Sequence, residues 1–219
     1  MRLPPPRVIL FDLDGTLVDS APDLAGAMHR LQKRRGLIPT DYALLRPRAS
    51  AGARGLIAAA FGLVPGDEEY ETLRIEFLDE YAAGIALNTC LFDGVAEMLA
   101  GLTNRDIEWG IVTNKAARFT DVLVPQLPLA YARCVISGDT TPHAKPHPAP
   151  LIEAARRAGA EPNQCWYVGD DKRDIEAGQA AGMATISVGW GYGDAFFPMP
   201  WNADFHAYAP QDVLRAIEL

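Results

Sequence analysis

Four short runs of unbroken apolar residues, each ending in a polar cluster, constrain this chain more than any other feature. They are Val8-Ile9-Leu10-Phe11, Trp109-Gly110-Ile111-Val112, Cys134-Val135-Ile136 and Cys165-Trp166-Tyr167-Val168. A fifth run, Ala184-Thr185-Ile186-Ser187-Val188, follows. Continuous apolarity, in place of alternation, marks a strand buried on both faces. Helical patterns separate the runs. Asp93 can cap a helix carrying Val95, Met98, Leu99 and Leu102, and Phe119, Val122 and Leu123 indicate another. Leu151, Ile152 and Ala155 begin a third after the proline-rich stretch Pro146-His147-Pro148-Ala149-Pro150. Ile175 to Ala181 form a fourth, closed by Gly182. Strands alternating with helices predict an α/β fold with a mainly parallel, Rossmann-like sheet.

The first strand does not lead directly to the second. From Asp19 to about Cys90 the pattern is helical almost throughout. Ser20 followed by Pro22 and Asp23 starts one helix, and Ser50 precedes an Ala-rich helix from Ala51 to Phe61. Asp67-Glu68-Glu69 opens a longer one, with Tyr70, Leu73, Phe77 and Tyr81 on one stripe. The acidic residues between Asp67 and Glu80 read as its solvated face. Residues 19–90 are thus a helical insertion into an α/β unit formed by residues 1–18 and 91–219. That unit is about 150 residues, an ordinary domain size.

Lys plus Arg is 20 and Asp plus Glu is 28, a formal charge of −8 over 219 residues. Such a balance favours solubility and does not advertise a nucleic-acid surface. The cysteines, Cys90, Cys134 and Cys165, are too few and too unevenly spaced for a disulfide scaffold or zinc ribbon. Cys134 and Cys165 each open an apolar run and read as buried thiols. No secretory signal is visible, since the first apolar run is cut short by Asp12. No run approaches a membrane span. The expected compartment is the cytoplasm.

The strongest chemical signal is Asp12-Leu13-Asp14-Gly15-Thr16, directly after the first strand. Ligands bind at the carboxyl ends of strands in open α/β sheets. Residues i and i+2 of an extended segment share a face, so Asp12 and Asp14 can point into one crevice. Two neighbouring carboxylates suit a nucleophile with a general acid/base, or a divalent-cation site.

Phe11-Asp12-Leu13-Asp14-Gly15-Thr16-Leu17-Val18-Asp19-Ser20 resembles the opening motif of the phosphatases of the haloacid dehalogenase (HAD) superfamily. Later strand ends extend the resemblance. Val112-Thr113-Asn114-Lys115 is similar to the second motif, whose hydroxyl binds phosphate, and Lys145-Pro146 to the third. Gly169-Asp170-Asp171-Lys172-Arg173-Asp174 is similar to the metal-binding fourth. The resemblance spans about residues 8 to 189 and implies the HAD fold with a C1-type helical cap formed by residues 19–90.

Phosphoryl transfer needs a nucleophile, an acid for the leaving oxygen, and positive charge against the equatorial oxygens. The resemblance implies that Asp12 attacks phosphorus and that Asp14 protonates the leaving alcohol, then activates the hydrolytic water. It implies that Thr113, Asn114 and Lys145 bind the phosphate, with Thr113 and Lys145 also catalytic. It implies Mg²⁺ as cofactor, held by the Asp12 carboxylate, the Asp14 backbone carbonyl and Asp170. Asp174 belongs to the same site, orienting it or holding Lys145. Asp171 stands where relatives often carry Ser, and His147 where many carry Asp.

In the insertion, Arg48 and Arg54 flank the helix start at Ser50. Arginine beside helix N–H groups suits a substrate with a carboxylate as well as a phosphate. Solvated arginines on an amphipathic helix are the alternative. The whole chain looks most like the phosphoglycolate phosphatase group and also resembles the N-acetylmuramic acid 6-phosphate phosphatases. Either implies a small phosphomonoester as the partner, and a monomer or homodimer. A phosphoglucomutase-like mutase, a phospho-accepting receiver and a silent binding module are the competing classes. Asp14 and the inserted cap speak against the receiver. His143 and His147 read as loop packing. Trp190, Tyr192, Phe196, Phe197 and Trp201 read as aromatics packed on the core.

Overall fold

A computed structural model describes residues 3–193 and 201–218. Along the chain, the first elements are β1 (Val8–Phe11), β2 (Val18–Asp19), α1 (Ala21–Arg34), α2 (Tyr42–Leu45), α3 (Gly52–Phe61), α4 (Tyr70–Ala83) and β3 (Cys90–Leu91). They continue as α5 (Val95–Thr103), β4 (Glu108–Val112), α6 (Ala117–Leu123), β5 (Val135–Ile136), α7 (Ala149–Ala158), β6 (Cys165–Gly169), α8 (Lys172–Ala181), β7 (Ala184–Val188), β8 (Phe205–Ala207) and α9 (Pro210–Glu218). The chain divides into two compact units, residues 1–18 with 91–219 and residues 19–90. Among the described residues no helix is long and apolar enough to cross a membrane.

The first unit holds a six-stranded sheet in the order β5-β4-β1-β6-β7-β8. Its neighbouring strands pair in parallel. Strand β1 is central, and Val8, Ile9, Leu10 and Phe11 are all fully buried, which is why its sequence is apolar without interruption. Phe11 is in register with Ile111 on one side and Val168 on the other. Asp12, Thr113 and Asp170 therefore leave the sheet at the same end, one residue or two beyond that row. The site rests on this register.

Strand β8 and helix α9 lie beyond the five strand runs. Their signal is weak because β8 is three residues at a sheet edge, with a polar His206 at its centre. Three helix starts also differ from expectation. Gly94, at φ +84°, caps α5 in place of Asp93, whose side chain makes no cap bond. Helix α3 starts at Gly52, because Arg46–Ala51 form a 3₁₀ turn that includes Ser50. Helix α8 starts three residues before Ile175, because Asp171 and Asp174 form a reciprocal capping box. Val122 and Ile152, expected on buried faces, are each 47% exposed.

In the second unit, α4 buries Tyr70, Leu73, Phe77 and Tyr81, the expected stripe. Helices α1 and α4 pack together and are laced at the surface by Arg30, Arg34 and Arg35 against Glu76 and Glu80. Asp23, buried in the first turn of α1, accepts from the Asn88 and Thr89 backbone N–H groups and from the Thr89 hydroxyl at 2.7 Å. Burial would raise its carboxyl, but these hydrogen bonds prevail and hold it below the usual range.

Candidate active site

The turn after β1 is built by its own backbone. The Leu13 carbonyl accepts the N–H groups of Thr16, Leu17 and Val18 at 3.3, 3.0 and 3.0 Å. Gly15 turns the chain at φ +93°, a conformation that favours glycine. Space demands glycine as well, since a Cβ here would lie 2.3 Å from Asp170 Oδ2.

Around this turn the structure gathers most of the expected residues. Lys145 Nζ lies 2.8 Å from Asp12 Oδ1 and 2.7 Å from Asp174 Oδ1. Each of these three residues is at most 7% exposed. Carboxylate oxygens of Asp12, Asp170 and Asp174 lie within 4.8 Å of one another. Asp170 is fully buried, and its Oδ2 accepts from the Tyr192 N–H at 2.9 Å. Asp174 Oδ2 accepts from the Asp171 N–H at 3.1 Å, so Asp174 both caps α8 and holds Lys145. Asp14 stands apart from this cluster. Both of its carboxylate oxygens meet Lys115 Nζ, at 3.0 and 3.1 Å.

Thr113 is buried, and its Oγ1 accepts from the Lys115 N–H at 3.1 Å. The Asn114 side chain is taken up by the backbone of Lys145. Its Oδ1 accepts the Lys145 N–H and its Nδ2 donates to the Lys145 carbonyl, both at 2.9 Å. Any phosphate contact by Asn114 therefore falls to its backbone. Arg48 and Arg54 belong to the other compact unit, residues 19–90. Both are exposed in the second unit, and among the described residues neither makes an ion pair or side-chain hydrogen bond.

Burial pushes the Asp12 carboxyl up to about 7; Lys145 opposes that shift and the nearby Asp174 adds to it. Burial lowers the Lys145 ammonium, but Asp12 and Asp174 outweigh it and hold it above its ordinary value. Three buried carboxylates against one buried lysine leave room for more positive charge. Their donors are all oxygen, which fits a hard divalent cation such as Mg²⁺.

Sequence reasoning quoted two residues of the site without giving them work. Lys115 follows Thr113 by two, and that spacing returns its chain to the sheet's end. Tyr167 reads as strand core, yet its hydroxyl lies 2.7 Å from Lys145 Nζ and donates to the Val112 carbonyl at 2.8 Å. The signal was available, because a buried tyrosine hydroxyl needs a partner. Asp171, left without a role, is the cap of α8 and grips Arg173 at 2.8 and 2.9 Å.

The aromatics after β7 pack on the same unit. Trp190 Nε1 donates to the Thr16 carbonyl at 2.9 Å, and the Tyr192 ring lies 6.0 Å from that of Phe92. Phe196 and Phe197 lie outside the described residues. His143 and His147 stack at 4.3 Å in an exposed loop. Cys134 and Cys165 are buried and Cys90 is exposed.

The chain is similar to known proteins along most of its length. The profile of the haloacid dehalogenase-like hydrolase family matches residues 9–188. A phosphoglycolate phosphatase of Xanthomonas campestris pv. campestris (strain 8004) is 46% identical over 203 residues, covering 91% of this chain and 90% of its own. An N-acetylmuramic acid 6-phosphate phosphatase of Pseudomonas putida (strain KT2440) is 40% identical over 220 residues, covering 100% of this chain and 97% of its own. A crystal structure from Haemophilus somnus 129PT, described as a predicted phosphoglycolate phosphatase, superposes with a TM-score of 0.82 at 27% identity. It covers 96% of this chain and 97% of its own. With motifs directly after β1, β4 and β6, a fourth at Lys145 in the loop between β5 and α7, and a family match across most of its length, this chain belongs to the haloacid dehalogenase-like hydrolases.

Proposed function

We propose that this chain is a Mg²⁺-dependent phosphatase that hydrolyses 2-phosphoglycolate through a phosphoaspartyl intermediate on Asp12. The observation that carries the reading is the convergence of Asp12, Lys145, Asp170 and Asp174 at the carboxyl end of a parallel sheet. The phosphoglycolate phosphatase relative at 46% identity supports the substrate. In this reading Asp12 attacks phosphorus and the bond to the leaving alkoxide breaks. Asp14 gives that oxygen a proton, then takes one from the water that cleaves the phosphoaspartate. Lys145 fixes Asp12 and faces the phosphate oxygens, and Thr113 with nearby backbone N–H groups completes the cradle.

Asp12, the Asp14 carbonyl and Asp170 would hold Mg²⁺, and Asp174 would keep the set in place. Bound there, the ion neutralises charge. A dianionic phosphate with two ionised aspartates carries about −4, and even one like-charge pair at 4 Å costs about 4 kcal/mol at an effective dielectric of 20. Arg48 and Arg54 are the candidates for reading the substrate's carboxylate. The acidic balance, net −8, favours an enzyme acting on a small phosphomonoester over a nucleic-acid binder.

A second reading, N-acetylmuramic acid 6-phosphate as substrate, is favoured by a relative aligned over 100% of this chain. One experiment tests both. Phosphate release is measured with 2-phosphoglycolate, N-acetylmuramic acid 6-phosphate, glucose phosphates and p-nitrophenyl phosphate, with Mg²⁺ or with chelator. The expected outcome is the highest kcat/KM on 2-phosphoglycolate, dependence on Mg²⁺, and loss of turnover in Asp12→Asn and Asp14→Asn. Full activity in Asp12→Asn removes the mechanism, and a preference for the muramic acid ester selects the second substrate.

A further inference from the structure

Lys115 is the charged residue of the site that the mechanism above leaves idle. Its placement is built from several directions. Its N–H donates to Thr113 Oγ1 at 3.1 Å, and its carbonyl accepts the Gly138 N–H at 2.8 Å. Gly138 must be glycine for this approach, because a Cβ there would sit 2.3 Å from the Asn114 carbonyl oxygen. The side chain then reaches from the end of β4 to the turn after β1. Its ammonium meets both carboxylate oxygens of Asp14, at 3.0 and 3.1 Å. The Lys115 side chain is 8% exposed and that of Asp14 is 14% exposed, so solvent screens the pair weakly. Lys145 makes the corresponding contact to Asp12. The site therefore assigns one lysine to each of its two reacting carboxylates.

We propose that Lys115 is a positioning residue for the proton-transfer half of the reaction, acting through Asp14. The inference rests on the phosphatase reading above. As the Asp12 oxygen–phosphorus bond forms and the phosphorus–alkoxide bond breaks, the proton on Asp14 passes to the departing oxygen. Negative charge then appears on Asp14, and the ammonium already faces both of the oxygens that receive it. A fixed positive group aimed at developing charge helps the transition state more than the ground state. The same contact holds the carboxylate in place to take a proton from the incoming water.

A group that serves only the proton donor has a kinetic signature. An alkyl ester needs its leaving oxygen protonated, whereas p-nitrophenolate departs readily without a proton. Both candidate substrates are alkyl phosphates. The test compares kcat/KM, which reports events through the first phosphoryl transfer, for Lys115→Met on the better alkyl substrate and on p-nitrophenyl phosphate. General-acid assistance is worth roughly a hundredfold or more. The expected result is an alkyl-ester loss at least about tenfold larger than the aryl-ester loss, with Asp14→Asn showing the same skew more strongly. Lys115→Arg, which keeps a cation against Asp14, should recover most of the alkyl activity. Equal losses on the two esters, or no loss, overturn the proposal. Lys115→Gln serves the same comparison if the Met variant does not fold. Asp12→Asn separates the two levels of inference, because its survival on either ester defeats the phosphatase reading itself. A silent Asp12→Asn with unskewed Lys115 losses defeats only the role of Lys115.

Discussion

Lys145 has three N–H donors and four oxygens within 3.0 Å: Asp12 Oδ1, Asp174 Oδ1, the Tyr167 hydroxyl and the Val112 carbonyl. The arithmetic closes if the Tyr167 hydroxyl serves the Val112 carbonyl, 2.8 Å away, and accepts from the lysine. Each lysine proton then has its own acceptor, two of them carboxylates. Burial, followed by the nearby Asp174 and Asp12 charges, holds the Tyr167 hydroxyl protonated well above its ordinary range, so it remains a donor. Tyr167→Phe would pass the third lysine proton to Val112 and draw the ammonium toward the strand. We predict a stability loss of about 1 kcal/mol by urea denaturation, with a several-fold fall in kcat. An unchanged kcat would show that the lysine needs no such accounting. Asp12, Asp14 and Asp170 were legible in the sequence because each departs from an apolar strand. Tyr167 signalled more weakly, because its ring suits a buried strand and only its hydroxyl's need for a partner points to the site.

At the scale of elements, α8 carries Asp174 into the site and depends on Asp171 for its start. Asp171 Oδ1 accepts the Arg173 N–H at 2.9 Å, and the Arg173 guanidinium closes on both of its oxygens. Burial would raise the Asp171 carboxyl, yet the hydrogen bonds and charge of Arg173 hold it below the usual range. A carboxyl lowered on folding adds stability that is complete above its unfolded pKa of about 3.9 and is lost as pH falls through the folded value. Asp171→Ala should therefore cost about 1–2 kcal/mol at pH 7, shrinking toward pH 3, as read by denaturation at both pH values. A difference that stays constant with pH would mean the charge is not what caps the helix. The sequence placed this helix but misjudged its start. Asp170-x-x-x-Asp174 reads as metal chemistry, and its second aspartate is also half of the capping box that Asp171 opens. Five strands were legible from apolar runs, whereas β8 was not. An edge strand needs less apolar sequence than a buried one.

At the scale of the whole molecule, the site is a cost that the fold carries until charge arrives. Asp12, Asp170 and Asp174 bring carboxylate oxygens within 4.8 Å, all at most 7% exposed. Lys145 answers two of them directly, and Asp170 relies on backbone and hydroxyl donors such as Tyr192 and Thr16. Burying like charges is unfavourable, and sites kept for function are commonly less stable than their neutral variants. Asp170→Asn removes one charge and preserves the shape of the side chain. It should raise the Tm of the chelator-treated protein while abolishing turnover. Added Mg²⁺ should act in the opposite sense. A ligand that binds only the folded state at a hundred times its Kd stabilises by about 2.7 kcal/mol. For a chain of this size that is a Tm rise of roughly 5–10 °C, and Asp170→Asn should show little of it. The two curves are measured by calorimetry, with and without chelator. If Asp170→Asn melts lower than the native chain in chelator, the carboxylate is a structural acceptor for its neighbours and not a charge held in wait for a cation. If it melts higher and no longer responds to Mg²⁺, the same buried charge accounts for both the instability of the empty fold and its affinity for the ion.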